Sequence, residues 1–213
     1  MTDDAQLLPA SIMTSPDWLA EQLRLRGVRW NTDDARVLAT LWWYSASAWV
    51  IGPTLISLAR GDQLLSGDLD DLAIHWLPDS RITGATSSRV LVSTSPIGSA
   101  ADSLLGLFEH VIPDLADLAG IAERPLWAVA ADSIATRLLA IGQEIGEVDR
   151  VIGLLPALAD SIGGVMPRIG FTGSGSQLTP RRVSCCLLYL APEQSKCSFC
   201  PKLRVRPASP DTD

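Results

Sequence analysis

Residues 37–59 read VLATLWWYSASAWVIGPTLISLA, 23 positions without one charge. A single helix of that length reaches across a bilayer. Three features assign the run instead to a pair of buried core helices. Gly52-Pro53 interrupts it, and a proline inside a helix removes a hydrogen bond and clashes with the preceding turn. Thr40, Ser45, Ser47, Thr54 and Ser57 scatter hydroxyls along it. Arg36 and Arg60 flank both ends, so the one-sided charge that orients a membrane helix is missing. No membrane span is expected, and the fold must form around two apolar helices that break at Gly52.

Outward from this run, Ser15-Pro16-Asp17 reads as a helix start: a serine N-cap, proline at the first helical position and an acid near the positive end. That helix is expected to reach about Arg26, with Gly27 closing it, and Asn31 or Thr32 should cap the next. Leu72–Leu77 and Arg89–Thr94 read as short strands around a Pro78-Asp79-Ser80 turn and Gly84, with a third near Ile82. Helical periodicity returns over Ser99–Ala119 with a kink at Pro113, over Pro125–Ile145, and over Glu147–Ile162, which Gly163-Gly164 ends. Residues 167–180, PRIGFTGSGSQLTP, read as a long loop. Gly173 and Gly175 lack the third glycine and the strand–turn–helix setting of a dinucleotide fingerprint. The expected fold class is α+β: a mostly helical body over residues 1–180 with a small antiparallel sheet around 72–94, a C-terminal four-cysteine segment over 181–206, and a flexible tail over 207–213.

The charge is uneven. Residues 1–180 hold 11 arginines, no lysine and 21 acids, a net −10, whereas residues 181–206 carry a net +5. Both lysines, Lys196 and Lys202, lie in that second stretch. An acidic body does not suit nucleic acid, which calls for a broad basic face. The chain starts MTDDAQLLPA, with no basic residue before Arg24 and no apolar run, so no secretory signal and a cytoplasmic location are expected.

All four cysteines fall in that basic stretch: Cys185, Cys186, Cys197 and Cys200, spaced C-C-x10-C-x2-C. In the cytoplasm such clustering points to metal or redox chemistry rather than to disulfides. Structural zinc favours two C-x2-C knuckles, and here one half is a vicinal pair. Adjacent side chains in extended backbone point to opposite faces, so the pair fits one tetrahedral ion poorly and a larger two-iron cluster better, if the backbone turns there. Spacing alone leaves an iron–sulfur cluster, zinc and redox thiols all open. The surrounding positive charge offsets a thiolate-bound cluster, and it equally suits a solubilised surface hairpin.

The stretch from Arg181 to Lys202, RRVSCCLLYLAPEQSKCSFCPK, closely resembles the C-terminal signature of the ferric-siderophore reductase (FhuF-like) family. Basic residues precede Cys185-Cys186, Leu187 and Tyr189 follow, and a ten-residue gap leads to Cys197-x2-Cys200-Pro201. Pro125-Leu126-Trp127 is also similar to the family's body. Ser198 stands where the family often has glycine after the third cysteine. The resemblance implies a [2Fe–2S] cluster on the four cysteines and one-electron reduction of Fe(III) in imported siderophores. On this reading the N–H groups of Leu187, Ser198 and Phe199 and the hydroxyls of Ser184 and Ser198 are the natural donors to sulfur. Arg181, Arg182 and Trp127 are candidates to meet the ferric siderophore, of hydroxamate type because the acidic body disfavours a highly anionic chelate. Lys196, Lys202, Arg204 and Arg206 are candidates to dock an electron donor such as a ferredoxin or flavin reductase. The contrasting reading is a zinc-stapled, non-enzymatic interaction module.

Other chemistry is sparse. His75 in an alternating strand and His110 on a helix have no ligand spacing and read as structural. The seven tryptophans read mostly as core, and Trp42, Trp43, Trp76 and Trp127 are the candidates among them for pocket walls.

Overall fold

The computed structural model describes residues 5–197 and Cys200. It is an α+β protein, mostly helical, with a small three-stranded antiparallel sheet and a two-stranded one. The expected tail of 207–213 lies outside the described residues.

The uncharged run folds as α2 (Ala35–Val50) and α3 (Gly52–Arg60), separated at Ile51. α2 packs on α5 (Arg124–Ile145), and α4 (Pro96–Ala119) packs on α7 (Leu154–Ile162). Trp42, Trp43, Phe108, Leu104 and Leu115 are completely buried between these helices. Trp18, Trp42, Trp43, Phe108 and Trp127 form a chain of rings, each 5.9–6.3 Å from the next. All but the Trp42–Trp43 pair meet edge to face, the arrangement the ring quadrupole favours. Trp42 and Trp43 are therefore core, as expected of most of the tryptophans, and not pocket walls. Among the described residues no helix is long and apolar enough to cross a membrane.

Several boundaries differ from expectation. α1 spans Pro16–Trp30, so Gly27 is inside it and does not end it. A side chain at Gly27 would stand 3.0 Å from the Thr32 carbonyl oxygen, and the left-handed cap is Asn31 instead. The cap of α2 is neither Asn31 nor Thr32 but Asp34, which accepts the Arg36 N–H at 3.0 Å. The third helical stretch is split at Gly153 into α6 (Val148–Ile152) and α7. Pro156 has no N–H to give the Ile152 carbonyl, which explains the break. α4 continues through Pro113.

The sheet has the order β1 (Gln6–Pro9), β2 (Leu72–Trp76), β3 (Ile82–Ser87), antiparallel throughout. Arg89–Thr94 is not a strand. Its one bridge joins Val90 to Leu65; Leu91 packs against the core but Val92 points fully into solvent, so its alternation has no second strand to pair with. The strand near Ile82 takes its place. Buried Arg26 fastens the β2–β3 turn to α1, donating to the Ser80 carbonyl at 3.1 Å and to Ser45 Oγ at 3.0 Å. Burial pushes its pKa down to about 10.

Residues 167–180 are not wholly a loop. β4 (Phe171–Thr172) and β5 (Thr179–Pro180) pair in a miniature hairpin, and β5 lies against α5. Gly173, at φ +90°, makes this turn possible: a Cβ there would meet the Gln177 carbonyl oxygen at 2.4 Å. The hairpin delivers the chain to the cysteine segment, and the Arg181 N–H closes it on the Gly170 carbonyl at 2.7 Å.

Candidate metal centre

The cysteine segment is seated on α5 by one buried carboxylate. Asp132 is fully buried halfway along that helix. Its oxygens accept the Val183 and Ser184 N–H groups, each at 3.0 Å, as well as the Ser184 hydroxyl. The Tyr44 hydroxyl donates to it at 3.3 Å and also meets Ser184. Arg182 completes the arrangement. Its Nε is 3.9 Å from Asp132, its guanidinium lies 4.6 Å from the centre of the Tyr44 ring, and its Nη1 is 3.9 Å from Cys197 Sγ. One side chain thus ties the body to a cysteine through charge, ring face and sulfur. Desolvation raises the Tyr44 pKa, so its hydroxyl stays protonated.

Beyond Asp132 the backbone turns sharply. Leu187 adopts φ +57°, and residues Leu188–Leu190 make a short 3-10 turn against α2. This reversal sends the chain back so that Cys186 and Cys197 lie with their Sγ atoms 3.4 Å apart. All four cysteines are free. Cys186 and Cys200 are buried, Cys185 and Cys197 half-buried, and the Cys200 N–H donates to the Cys197 carbonyl at 2.9 Å. Burial pushes the Cys186 thiol up to about 11, against the pull of the Leu188 N–H, and the adjacent Cys197 adds to the rise.

No family model matches the chain, and no curated protein does either. The likeness of residues 181–202 to the ferric-siderophore reductases therefore rests on the motif alone.

A disulfide would bring two sulfurs to about 2.05 Å, whereas two thiolates on one tetrahedral metal at about 2.3 Å stand about 3.8 Å apart. The Cys186–Cys197 separation is nearer the second. Among the described residues no three Cys, His, Asp or Glu side chains converge as a metal group, so Cys185 and Cys200 stand apart from the pair. The donor chemistry, four thiols in one segment with a guanidinium against one of them, suits a soft, thiolate-bound metal.

The other candidates divide. Arg182, a candidate to meet the siderophore, instead lies half-buried among Asp132, Tyr44 and Cys197. Arg181 is exposed, and Lys196 is exposed beside Cys197. Lys202, Arg204, Arg206, Ser198 and Phe199 lie outside the described residues. Ser184 is not a sulfur donor: its hydroxyl is taken by Asp132 and Tyr44. The N–H that reaches Cys186 belongs to Leu188, one residue beyond Leu187, because the left-handed turn aims it back. Trp127 is buried, edge-on to Phe108. Its exposed margin lines a cavity of about 620 Å³ that Val183 also borders. Trp76 is engaged elsewhere, donating to Gln22 at 2.8 Å. His110 bonds the Gly106 carbonyl at 2.6 Å, and His75 packs on Gly84; both are structural.

Sequence reasoning passed over Asp132, Tyr44 and Arg137. A signal was present for two of them. Between Pro125 and Gln143 the only charged residues are Asp132 and Arg137. Five residues apart on a helix they do not face each other, so each must answer to something outside α5.

Proposed function

We propose that Cys185, Cys186, Cys197 and Cys200 hold a [2Fe–2S] cluster and that the protein is a one-electron reductase of ferric siderophores in the cytoplasm. The observation that carries this reading is the return of Cys197 onto Cys186 beneath Arg182, in a segment that matches the family's cysteine motif. Such a cluster, when bound, accepts and passes on single electrons. The chain's own residues prepare the place. Asp132 fixes the backbone just before the vicinal cysteines, Arg182 offers positive charge to thiolate, and the Leu188 N–H donates to Cys186. Charge and hydrogen bonds at sulfur are the levers by which a protein sets a cluster's potential.

The substrate is Fe(III) held by hard oxygen donors. One electron from a ferredoxin or flavin reductase converts it to Fe(II), which such donors bind far less tightly, and the iron leaves without any covalent bond being cut. A hydroxamate complex fits the acidic body better than a triply anionic catecholate.

The decisive experiment is a visible spectrum with iron and sulfide analysis on anaerobically purified protein. A red-brown protein with equal iron and sulfide that bleaches on reduction is expected. A colourless protein containing zinc would replace this reading with the zinc-stapled module. Each single Cys→Ser change should remove most of the iron. If one leaves iron content and spectrum intact, the four-cysteine ligand set is wrong.

A further inference from the structure

A large cavity among the described residues lies away from the cysteines. It holds about 700 Å³ between α3 and β3, with Trp49, Pro53, Ile56 and Val90 among its walls. That volume lies in the range of small-molecule sites. A second cavity, of about 290 Å³, opens on the other side of Trp49 and Arg137, and its walls include Tyr44, Asp132 and Arg182. Trp49 and Arg137 line both, so they form the junction between the two chambers.

Arg137 is unusual among the described arginines. Only Arg26, Arg137 and Arg182 are not exposed. Arg26 is hydrogen-bonded to Ser45 and Ser80, and Arg182 meets Asp132 and Cys197. Arg137 has no hydrogen-bond or ion-pair partner among the described residues. Its Nε is buried without a partner, its guanidinium lies 5.7 Å from the Trp49 ring centre, and Gly52 leaves room for its Nη2. A half-buried guanidinium without an anion is costly to keep.

We propose that this junction is a seat for a small organic carboxylate with a flat apolar body: the carboxylate on Arg137, the body against Trp49 and the apolar wall of the larger chamber. A guanidinium matches a carboxylate edge to edge, and a tryptophan face suits a flat ring. A phosphate dianion fits less well. The other cation of the larger chamber, Arg60, is held by Glu144 at 2.9 Å, and Asp62 stands in the same wall. The seat does not depend on what the cysteines hold, yet its smaller chamber ends on Arg182, the side chain that touches Cys197.

The test is calorimetric titration of the full chain with 2-naphthoate and, separately, with neutral 2-naphthamide, before and after treatment with a chelator. The acid should bind at least about tenfold more tightly than the amide, a difference of about 1.4 kcal/mol. R137Q should abolish that preference while amide binding is unchanged, and R60Q should alter neither. Equal affinity for acid and amide in the unmodified chain would overturn the proposal, as would absence of binding up to about 1 mM. Preference for the acid that survives in R137Q would equally overturn it.

Discussion

The single residue on which the cysteine segment depends is Asp132. Changing it to asparagine replaces one accepting oxygen with an NH2 group that faces the donors it should receive. Two backbone N–H groups and the Ser184 and Tyr44 hydroxyls then compete for one acceptor. Loss of about 2–4 kcal/mol is expected, since each buried donor left unpaired costs about 1–3 kcal/mol. Thermal melting and limited proteolysis within residues 182–197 would register it. A variant as stable and as protected as the parent would remove Asp132 from this role. None of this was legible from the cysteine motif. The four cysteines announced themselves by spacing, whereas Asp132 is one acid in an apolar helix whose partners lie 51 and 52 residues away in the chain. Sequence shows that such a charge must be answered, but not by what.

Among the elements, the helices were the readable part. The long apolar periods over α2, α4 and α5 specify buried faces directly. Strands fared less well. Arg89–Thr94 has the alternation of a strand but no neighbour to pair with, while Gln6–Pro9 forms an edge strand without alternating at all, supported wholly by β2. Pairing is a property of two segments, so neither outcome was written in one. A glycine gives the element-scale test. Gly142 lies inside α5, where alanine would ordinarily favour the helix by about 1 kcal/mol. A Cβ there would stand 2.9 Å from the Val148 Cα and 3.3 Å from the Val151 Cβ. G142A should therefore destabilise the protein by about 1–3 kcal/mol, because α6 backbone must move. Urea denaturation is the measurement; a stabilised variant would mean that α6 does not press on α5 as described.

On the scale of the whole molecule, the acid-rich body and the basic cysteine stretch set opposing fields. If the reductase reading holds, a prereduced protein should reduce a ferrioxamine-like complex faster than an enterobactin-like one, and the gap should narrow with added salt as the body's repulsion is screened. Stopped-flow rates at two ionic strengths would check this. Faster catecholate reduction at low salt would show that the basic stretch governs approach, and would leave the reductase reading standing.

The order in which the chain is made gives the Asp132 anchor a further consequence. Synthesis proceeds from the N-terminus, and folding follows it. Every helix from α1 to α7 precedes residue 163, and Tyr44 on α2 comes with them, yet the other groups that meet Asp132 lie at Arg182 and beyond. During the interval the core of the body can close while the Asp132 carboxylate on α5 has only the Tyr44 hydroxyl to meet it. Residues 182–184 emerge after that body and meet the carboxylate there, so the backbone just ahead of Cys185 and Cys186 is set before Cys197 returns to Cys186. Seating of the cysteine segment thereby depends on a body already folded: without α5 in place there is no buried carboxylate to receive residues 182–184.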